Sequence, residues 1–381
     1  MFRAVQQPLL PFVLFTWLSM PTTCVFPSAS SSRGPTKAVG GGVAGPVALK
    51  YGRLSVIGNH LCGSDGKPVQ LRGMSTMGLQ WYGEIVNDEA FTALARDWKA
   101  DVVRLALYVG EGGYATRPEL KQLVWKGVEM AVAHGLYVIV DWHVLKPGNP
   151  NDALYDGAQA FFDEVSRKYG KYPNVMYEIM NEPNGDLDWA ADLKPYAERM
   201  VATIRANDPE GIILIGSGSW SQDVHIAAAD PVPGRNLAYT FHFYAGSHGE
   251  ALRSKVRAAL DLGVAVFASE WGTSEASGTG GPYLPASEEW LAFLDRNTIG
   301  WVNWSLCDKA ETSAAIKSLS AAIKEGRMAV ADRESLLVPQ ARGPEGFPIW
   351  SQQDLSASGV FVRAQMRKRA GAAVAPGKKP R

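Results

Sequence analysis

Cysteine is scarce in this chain of 381 residues, which contains only Cys24, Cys62 and Cys307. This excludes a small scaffold held together by disulfides, because such scaffolds are dense in cysteine. Cys62 and Cys307 are expected as free, mostly buried thiols at opposite ends of the fold. The few cysteines and histidines form no tight cluster with the spacing of metal ligands, so neither a metal nor another cofactor is predicted.

An excess of charge of one sign is also missing, since 38 basic residues balance 38 acidic ones. This balance argues against a nucleic-acid partner. Long apolar runs are absent apart from residues 9–20, which are too few to span a bilayer comfortably. Because the run follows Arg3 and precedes small residues, residues 1–24 are interpreted as a signal peptide of a secreted, extracellular protein that leaves the membrane. The alternatives are an uncleaved terminus or a signal anchor.

The composition divides the rest of the chain into three parts. Residues 25–48 are rich in Ser, Gly and Pro and predict a flexible linker. Residues 49–368 carry the periodic apolar patterns of a folded domain. Residues 369–381 are basic, without apolar periodicity, and predict a disordered tail.

Strand-like and helix-like patterns alternate through the folded part. A hairpin with an Asp65-Gly66 turn is expected over 52–66, where it would cover the bottom of a barrel. The clearest helix is predicted over 119–134, and further helices over 313–326 and 354–367, with a loop over 329–346. Eight apolar runs predict buried parallel strands at 71–75, 102–107, 136–142, 175–181, 212–217, 238–243, 264–269 and 301–306. This alternation predicts one α/β domain, a (β/α)₈ TIM barrel.

Two glutamates follow the ends of the predicted fourth and seventh strands, Glu182 and Glu270. Strand C-termini gather at one face of such a barrel, so the two carboxylates are expected to face each other. Retaining glycoside hydrolysis needs such a pair about 5–5.5 Å apart, one neutral acid and one ionised nucleophile. Apolar neighbours of Glu182 suit the acid. Arg104, inside an apolar strand, is the candidate partner that would keep Glu270 ionised. The alternative is that Arg104 has a structural role alone and ties strands together.

Several motifs at the strand ends carry a resemblance to a known family. They are Arg72-Gly73-Met74-Ser75, Gly78-Leu79-Gln80-Trp81-Tyr82-Gly83, Asp141-Trp142-His143, Tyr177-Glu178-Ile179-Met180-Asn181-Glu182-Pro183, Trp220-Ser221-Gln222-Asp223-Val224, His242-Phe243-Tyr244, Ser269-Glu270-Trp271-Gly272 and Trp304 to Thr312. In this order they resemble glycoside hydrolase family 5, and within it the bacterial-type endo-β-1,4-glucanases (cellulases). The likeness extends over about residues 50–367.

The resemblance implies roles around the reacting sugar. Glu182 matches the acid/base and Glu270 the nucleophile. Asn181 would bind the sugar 2-hydroxyl, where hydrogen bonds tighten in the transition state. Arg104 and Tyr244 would keep Glu270 ionised and aligned.

The resemblance also implies a substrate cleft. His143 and His242 would line the reacting subsite, and Trp304 would form its floor. The more distant sugar contacts would be Trp81 and Tyr108 on the glycone side, Trp220 on the aglycone side, and a polar clamp of Lys309 and Glu311. The alternative for the histidines and tryptophans is core packing, and for Lys309 and Glu311 an exposed ion pair of little energetic weight.

Two positions depart from a simple match. Met77 stands where the cellulase group often has a histidine, which removes one glycone-side hydrogen bond. Asn303-Trp304-Ser305 is formally a glycosylation sequon, but it lies in the eighth predicted strand and is expected to be unmodified.

The function expected from the resemblance is a monomeric, retaining, endo-acting glycoside hydrolase that cleaves β-1,4-glucan without a cofactor. A β-mannanase, a xylanase or a mixed-linkage glucanase of the same fold is the alternative within enzymes. A catalytically silent carbohydrate-binding barrel is the alternative from another class.

Overall fold

The computed structural model describes residues 47–326 and 333–370. The predicted signal peptide 1–24, nearly all of the predicted linker 25–48 and the end of the predicted tail lie outside the described residues. Among the described residues, no helix has both the length and the apolar character needed to cross a membrane.

Eight parallel strands close into a barrel, which confirms the predicted fold. Each apolar run forms a strand whose pairing with the next is parallel, and the last strand pairs back onto the first. The strands are β3 (Arg72–Thr76), β4 (Val102–Tyr108), β5 (Tyr137–His143), β6 (Val175–Glu178), β7 (Ile212–Ile215), β8 (Leu237–Tyr244), β9 (Ala265–Gly272) and β10 (Trp301–Leu306). Their residues are buried because the inner face fills the barrel and the outer face packs on helices.

Helices follow the strands and cover the barrel. They are α1 (Leu79–Tyr82), α2 (Asp88–Thr92), α3 (Lys121–Ala133), α4 (Ala158–Tyr169), α5 (Lys194–Arg205), α6 (Gly218–Ser221), α7 (Val224–Ala229), α8 (Glu250–Asp261), α9 (Leu284–Arg296), α10 (Leu319–Lys324), α11 (Arg333–Leu337) and α12 (Ala357–Ala370). Short 3₁₀ turns lie at Gly83–Ile85, Pro118–Leu120 and Ala153–Tyr155, and π turns at Ala93–Trp98 and Trp189–Leu193. The predicted helix 119–134 is therefore confirmed as a 3₁₀ turn continued by α3.

A hairpin covers the barrel bottom as predicted, but its turn was placed wrongly. Strands β1 (Ser55–Ile57) and β2 (His60–Cys62) pair antiparallel around Gly58 and Asn59, not around Asp65-Gly66. The Asp65-Gly66 turn is a second one, after β2, that brings Pro68 back beside Cys62. Leu54 and Leu61 pack with the inner residues of the barrel, so the hairpin seals that end with apolar contacts.

The segment after β10 differs from the prediction in three places. The helix predicted over 313–326 is limited to α10, because the chain before it forms a bridge between Ile316 and Leu355. The predicted loop 329–346 contains α11 and the first strand of a small hairpin, β11 (Ala341–Arg342) with β12 (Pro348–Ile349). Residues 327–332 lie outside the described part.

The helix predicted over 354–367 is confirmed as α12 and runs further than expected. Arg369 belongs to α12 and not to a tail, because it is buried against the barrel and bonds Asp295 at 2.7 Å. Its backbone carbonyl accepts a hydrogen bond from Arg72 on β3. Cys62 and Cys307 are free and buried, as predicted.

Candidate active site

A cleft of about 610 Å³ opens at the C-terminal face of the barrel. Eleven of the thirteen predicted site residues line it: Trp81, Tyr108, His143, Glu182, Trp220, His242, Tyr244, Glu270, Trp304, Lys309 and Glu311. The other two, Arg104 and Asn181, are fully buried and lie beneath it. The strand ends thus bring together residues that are far apart in the sequence.

Glu182 and Glu270 face each other across the cleft. Glu270 lies near the C-terminal end of β9. Glu182 lies in the segment just after the end of β6. Carboxylate oxygens of the two lie within 4.8 Å of each other. This separation fits the spacing of retaining glycosidases, about 5–5.5 Å between carboxyl groups, rather than the wider spacing of inverting ones.

The two carboxylates have different partners. Glu270 Oε1 accepts a hydrogen bond from the Tyr244 hydroxyl at 2.7 Å, and Oε2 accepts one from Arg104 Nη1 at 3.3 Å. Glu182 Oε1 lies 2.9 Å from His242 Nδ1. A fixed cation and a hydroxyl donor favour the ionised form of Glu270, so the pair is asymmetric in the way that a nucleophile and an acid require.

Burial and the nearby charge of Glu182 raise the pKa of Glu270 to about 7. His242, Arg104 and the Tyr244 hydroxyl act in the opposite direction. Burial, followed by the charge of Glu270, raises the pKa of Tyr244 well above its usual range, so its hydroxyl stays a donor. The Glu270 carboxyl is therefore only partly ionised in neutral solution, and Arg104 and the Tyr244 hydroxyl favour its ionised form.

Arg104 is the centre of a buried charge network under the cleft. Its guanidinium bonds Glu178 at 2.6 Å, Asp141 at 3.0 Å and Asn181 Oδ1 at 2.5 Å, besides Glu270. Every partner is an acceptor, which is the arrangement that makes a buried guanidinium tolerable. Arg104 thus ties strands together and also contacts Glu270.

His143 and Asn181 are fixed to each other below the reacting position. His143 Nδ1 bonds Asp141 at 2.7 Å, and its Nε2 lies 3.2 Å from Asn181 Nδ2. Asn181 Nδ2 also donates to the Val144 carbonyl at 3.1 Å. Burial lowers the pKa of His143 well below its usual range, so its ring is neutral. The predicted bond from Asn181 to a sugar hydroxyl stays a prediction, because its amide is engaged in the protein.

Aromatic rings form a row along one side of the cleft. Tyr108 stacks on His143 with ring centroids 3.9 Å apart, and His143 stacks on Trp304 at 5.5 Å. Trp81 meets Tyr108 edge-on at 5.0 Å and is 37% exposed. The exposed ring of Trp81 is suited to the C–H face of a sugar, because both surfaces are apolar, whereas Tyr108, His143 and Trp304 are nearly buried in the cleft wall.

Trp220 is presented by a left-handed turn. Ser219, Trp220 and Ser221 have φ values of 55°, 56° and 55°, which are unfavourable for residues with a Cβ. The turn is held because Trp220 N donates to the Pro183 carbonyl at 2.9 Å and Ser221 Oγ to the Asn181 carbonyl at 2.6 Å. Trp220 is 49% exposed, so this strained backbone holds an aromatic ring in solvent at the cleft.

The polar clamp predicted at the glycone side forms an ion pair. Lys309 Nζ lies 2.6 Å from Glu311 Oε2, and Ser313 Oγ donates to the other oxygen at 2.7 Å. Glu311 is nearly buried and Lys309 is half-exposed. Met77 lines the same cleft, in an apolar cluster that includes Tyr108.

Within the described residues, one group has the geometry to hold a metal ion: Glu182, His242 and Glu270, with ligand atoms within 4.8 Å of one another. Burial lowers the pKa of His242, but interactions with the carboxylates of Glu178, Glu182 and Glu270 outweigh burial and raise that pKa to about 10. A protonated imidazole has no lone pair for a metal. The arrangement suits a proton-transferring pair better than a metal centre.

Sequence reasoning missed several residues of the site. Glu178 and Ser269 are fully buried beneath His242, and Asp141 pairs with both Arg104 and His143. The signal for Glu178 was available, because a charged residue in a buried strand needs a partner, as argued for Arg104. Missed residues on loops at the cleft are Glu111, Leu145, Lys146, Gln222, His248, Ala276, Ser277 and Gly278, and no periodic pattern marks them.

Comparisons with known proteins agree with this geometry. The model of the cellulase family (glycosyl hydrolase family 5) matches residues 62–310. A curated endoglucanase of Clostridium saccharobutylicum is 46% identical over 313 residues, covering 82% of this chain and 64% of that protein. The chain thus spans less than two thirds of the length of that relative.

Solved structures are similar over most of the chain. The alkaline cellulase K catalytic domain is 41% identical with a TM-score of 0.77, and the match covers 87% of this chain and 97% of that one. The catalytic domain of Thermobifida fusca endoglucanase Cel5A, in a variant complexed with cellotetraose, is 37% identical with a TM-score of 0.74. That match covers 84% of this chain and 98% of that one.

Proposed function

The chain belongs to the cellulase family, glycosyl hydrolase family 5, and from this premise we propose that it is a retaining endo-β-1,4-glucanase. The observation that carries the proposal is the pair Glu182 and Glu270, with carboxylate oxygens within 4.8 Å and different partners. The names of the relatives, endoglucanase and cellulase, support an internal β-glucosidic bond as the target.

The reaction proceeds in two displacements. Glu270, ionised beside Arg104 and Tyr244, attacks the anomeric carbon, while Glu182 gives its proton to the departing glycosidic oxygen. A glycosyl ester on Glu270 results. Glu182, now a carboxylate, takes a proton from water, and that water releases the sugar with its original configuration.

The cleft supports a glucan chain as the substrate. Trp81, Tyr108 and Trp304 offer apolar faces on one part of the cleft, and Trp220 offers one elsewhere on the cleft. Lys309 and Glu311 would hold hydroxyls at the glycone side, and Asn181 the 2-hydroxyl of the reacting sugar. A related Thermobifida fusca endoglucanase is solved with cellotetraose, a chain of this kind.

The same premise extends to location and assembly. We infer that the protein is secreted, with residues 1–24 as its signal peptide, and that it acts as a monomer. The support for secretion is the apolar run of residues 9–20 that follows Arg3.

The experiment is release of reducing ends from carboxymethyl cellulose by the chain lacking residues 1–24, with Glu270→Gln as the matched control. We expect the wild type to release reducing ends and to lower the viscosity rapidly, because internal bonds are cut. The variant should be inactive, because the neutral amide cannot attack. Equal release by both proteins would rule out Glu270 as the nucleophile.

A panel of soluble polysaccharides separates the related activities. β-Mannan, xylan, mixed-linkage β-glucan and carboxymethyl cellulose are compared at equal enzyme concentration. Fastest cleavage of carboxymethyl cellulose supports the proposal, and faster cleavage of mannan or xylan would replace it. Binding of all four without cleavage would identify a carbohydrate-binding barrel.

A further inference from the structure

Two buried polar residues lie directly beneath His242, on the side away from the cleft. Ser269 is on β9, next to the proposed nucleophile, and Glu178 ends β6. Both have an exposed fraction of 0%, and neither lines the cleft. Their contacts determine where the protons of His242 lie.

Ser269 has one hydroxyl proton and two neighbours that could receive it. Its Oγ lies 2.6 Å from Glu178 Oε1 and 2.9 Å from His242 Nε2. Burial alone would raise the pKa of Glu178, but Arg104 and His242 lower it to about 2, so this carboxylate only accepts. The Ser269 proton therefore goes to Glu178, and His242 Nε2 must donate its own proton to Ser269.

The other ring nitrogen of His242 faces the proposed acid. Nδ1 lies 2.9 Å from Glu182 Oε1. Negative charge dominates the surroundings of the ring, since Glu178 lies 3.7 Å from Nε2 and Glu270 is close to Glu182. The titratable groups around it are Arg104, Asp141, His143, Glu178, Glu182, His248 and Glu270. A ring that donates from both nitrogens in this setting is a cation.

We propose that Glu178 and Ser269 are positioning residues that hold His242 as a cation, whose Nδ1–H stabilises the carboxylate formed when Glu182 gives up its proton. In the first displacement the Glu182 O–H bond breaks and the proton joins the glycosidic oxygen. The bond from that oxygen to the anomeric carbon breaks as the Glu270 oxygen bonds the same carbon. The negative charge left on Glu182 is then shared with the Nδ1–H of His242.

This inference rests on the proposed function, and it predicts an effect that depends on the leaving group. A phenyl or sugar leaving group needs a proton from Glu182, whereas 2,4-dinitrophenolate leaves without one. A defect in proton donation therefore slows cleavage of the phenyl or sugar substrate and leaves cleavage of the 2,4-dinitrophenyl substrate nearly unchanged. A defect in Glu270 or in sugar binding slows both.

The experiment compares kcat/KM of Ser269→Ala and the wild type on phenyl and 2,4-dinitrophenyl β-cellobiosides. We expect Ser269→Ala to lose about tenfold on the phenyl substrate and less than about twofold on the dinitrophenyl substrate, as in partial loss of general acid catalysis. Ser269→Thr keeps the hydroxyl and should restore the rate on the phenyl substrate. Thr240→Val is the matched control, because Thr240 Oγ1 is a buried hydroxyl on β8 without a hydrogen-bond partner among the described residues.

The outcomes separate the two proposals. If Ser269→Ala lowers kcat/KM equally on both substrates, the positioning role is overturned. The proposed glucanase function would not be affected by that result. Failure of the wild type on both cellobiosides and on carboxymethyl cellulose would instead reject the proposed function.

A measurement on the wild type covers the case in which Ser269→Ala does not fold. The ¹⁵N resonances of His242 at pH 7, assigned with a His242→Asn variant, should report two protonated ring nitrogens. A neutral His242 ring would overturn the proposal.

Discussion

At the scale of single residues, the chain places charged groups inside a barrel and balances them with partners. Arg104 could be predicted as a partner of Glu270 because a guanidinium in an apolar strand needs a carboxylate. The bond from Ser269 to Glu178 could not, because a serine in a strand gives no sign of which neighbour accepts its proton. Motifs thus predicted which residues meet in the cleft, but not the hydrogen bonds below it.

The raised pKa of Glu270 predicts a cost in stability. Its pKa of about 7 in the folded protein exceeds the ordinary 4.5, so ionising it opposes folding as the pH rises above 4.5. The cost is absent below pH 4.5, grows between 4.5 and 7, and reaches about 3 kcal/mol above 7, as an upper estimate. Glu270→Gln removes this charge and should be more stable than the wild type at pH 8.

The check is urea unfolding of both proteins at pH 8 and at pH 4. The advantage of Glu270→Gln should shrink strongly at pH 4, where the wild-type carboxyl is already neutral. An advantage of equal size at both pH values would mean that packing, not charge, separates the two proteins.

At the scale of elements, apolar patterns predicted all eight barrel strands to within a few residues, because parallel strands are buried on both faces. The turn α6 was not predictable. The sequence Ser219-Trp220-Ser221 contains neither Gly nor Asn, the usual residues at positive φ. Its conformation is imposed by contacts with the segment that carries Glu182, which only the folded chain brings near.

Replacing Trp220 separates the strain of this turn from the contact with substrate. Trp220→Ala and Trp220→Gly both lose the exposed ring, so both should raise KM for carboxymethyl cellulose. Glycine also accepts a φ of 56° without a clash, so the Gly variant should be roughly 1 kcal/mol more stable than the Ala variant. Thermal unfolding of the two variants measures this difference, and a more stable Ala variant would contradict a strained turn.

At the scale of the whole molecule, the barrel is closed at its bottom by the hairpin, and the cleft opens at the other end. Helix α12 packs along the barrel, from the segments after β9 and β10 to the start of β3. The sequence predicted the hairpin at the bottom and a helix over 354–367. It did not predict that Arg369 is buried, since the basic composition at this end resembles a tail. Arg369 pairs with Asp295 and Glu288 through tertiary contacts, which composition does not predict.

The hairpin should contribute to stability without affecting catalysis. Leu61 is 6% exposed and packs among inner residues at the barrel bottom, far from the strand ends that carry the glutamates. Leu61→Ala should lower the free energy of unfolding by about 2–4 kcal/mol through lost burial and a cavity. Its kcat on carboxymethyl cellulose, measured well below the unfolding temperature, should stay within twofold of the wild type, roughly the scatter of such assays. A large fall in kcat with intact stability would show that the bottom of the barrel communicates with the cleft.

The most direct test of the central claim is the configuration of the first product. Cellotetraose is cleaved in the spectrometer, and the anomeric protons of the new reducing ends are followed by NMR before mutarotation. A close carboxylate pair working by double displacement produces the β-anomer first. Initial formation of the α-anomer would contradict the assignment of Glu270 as a nucleophile and of Glu182 as its acid partner.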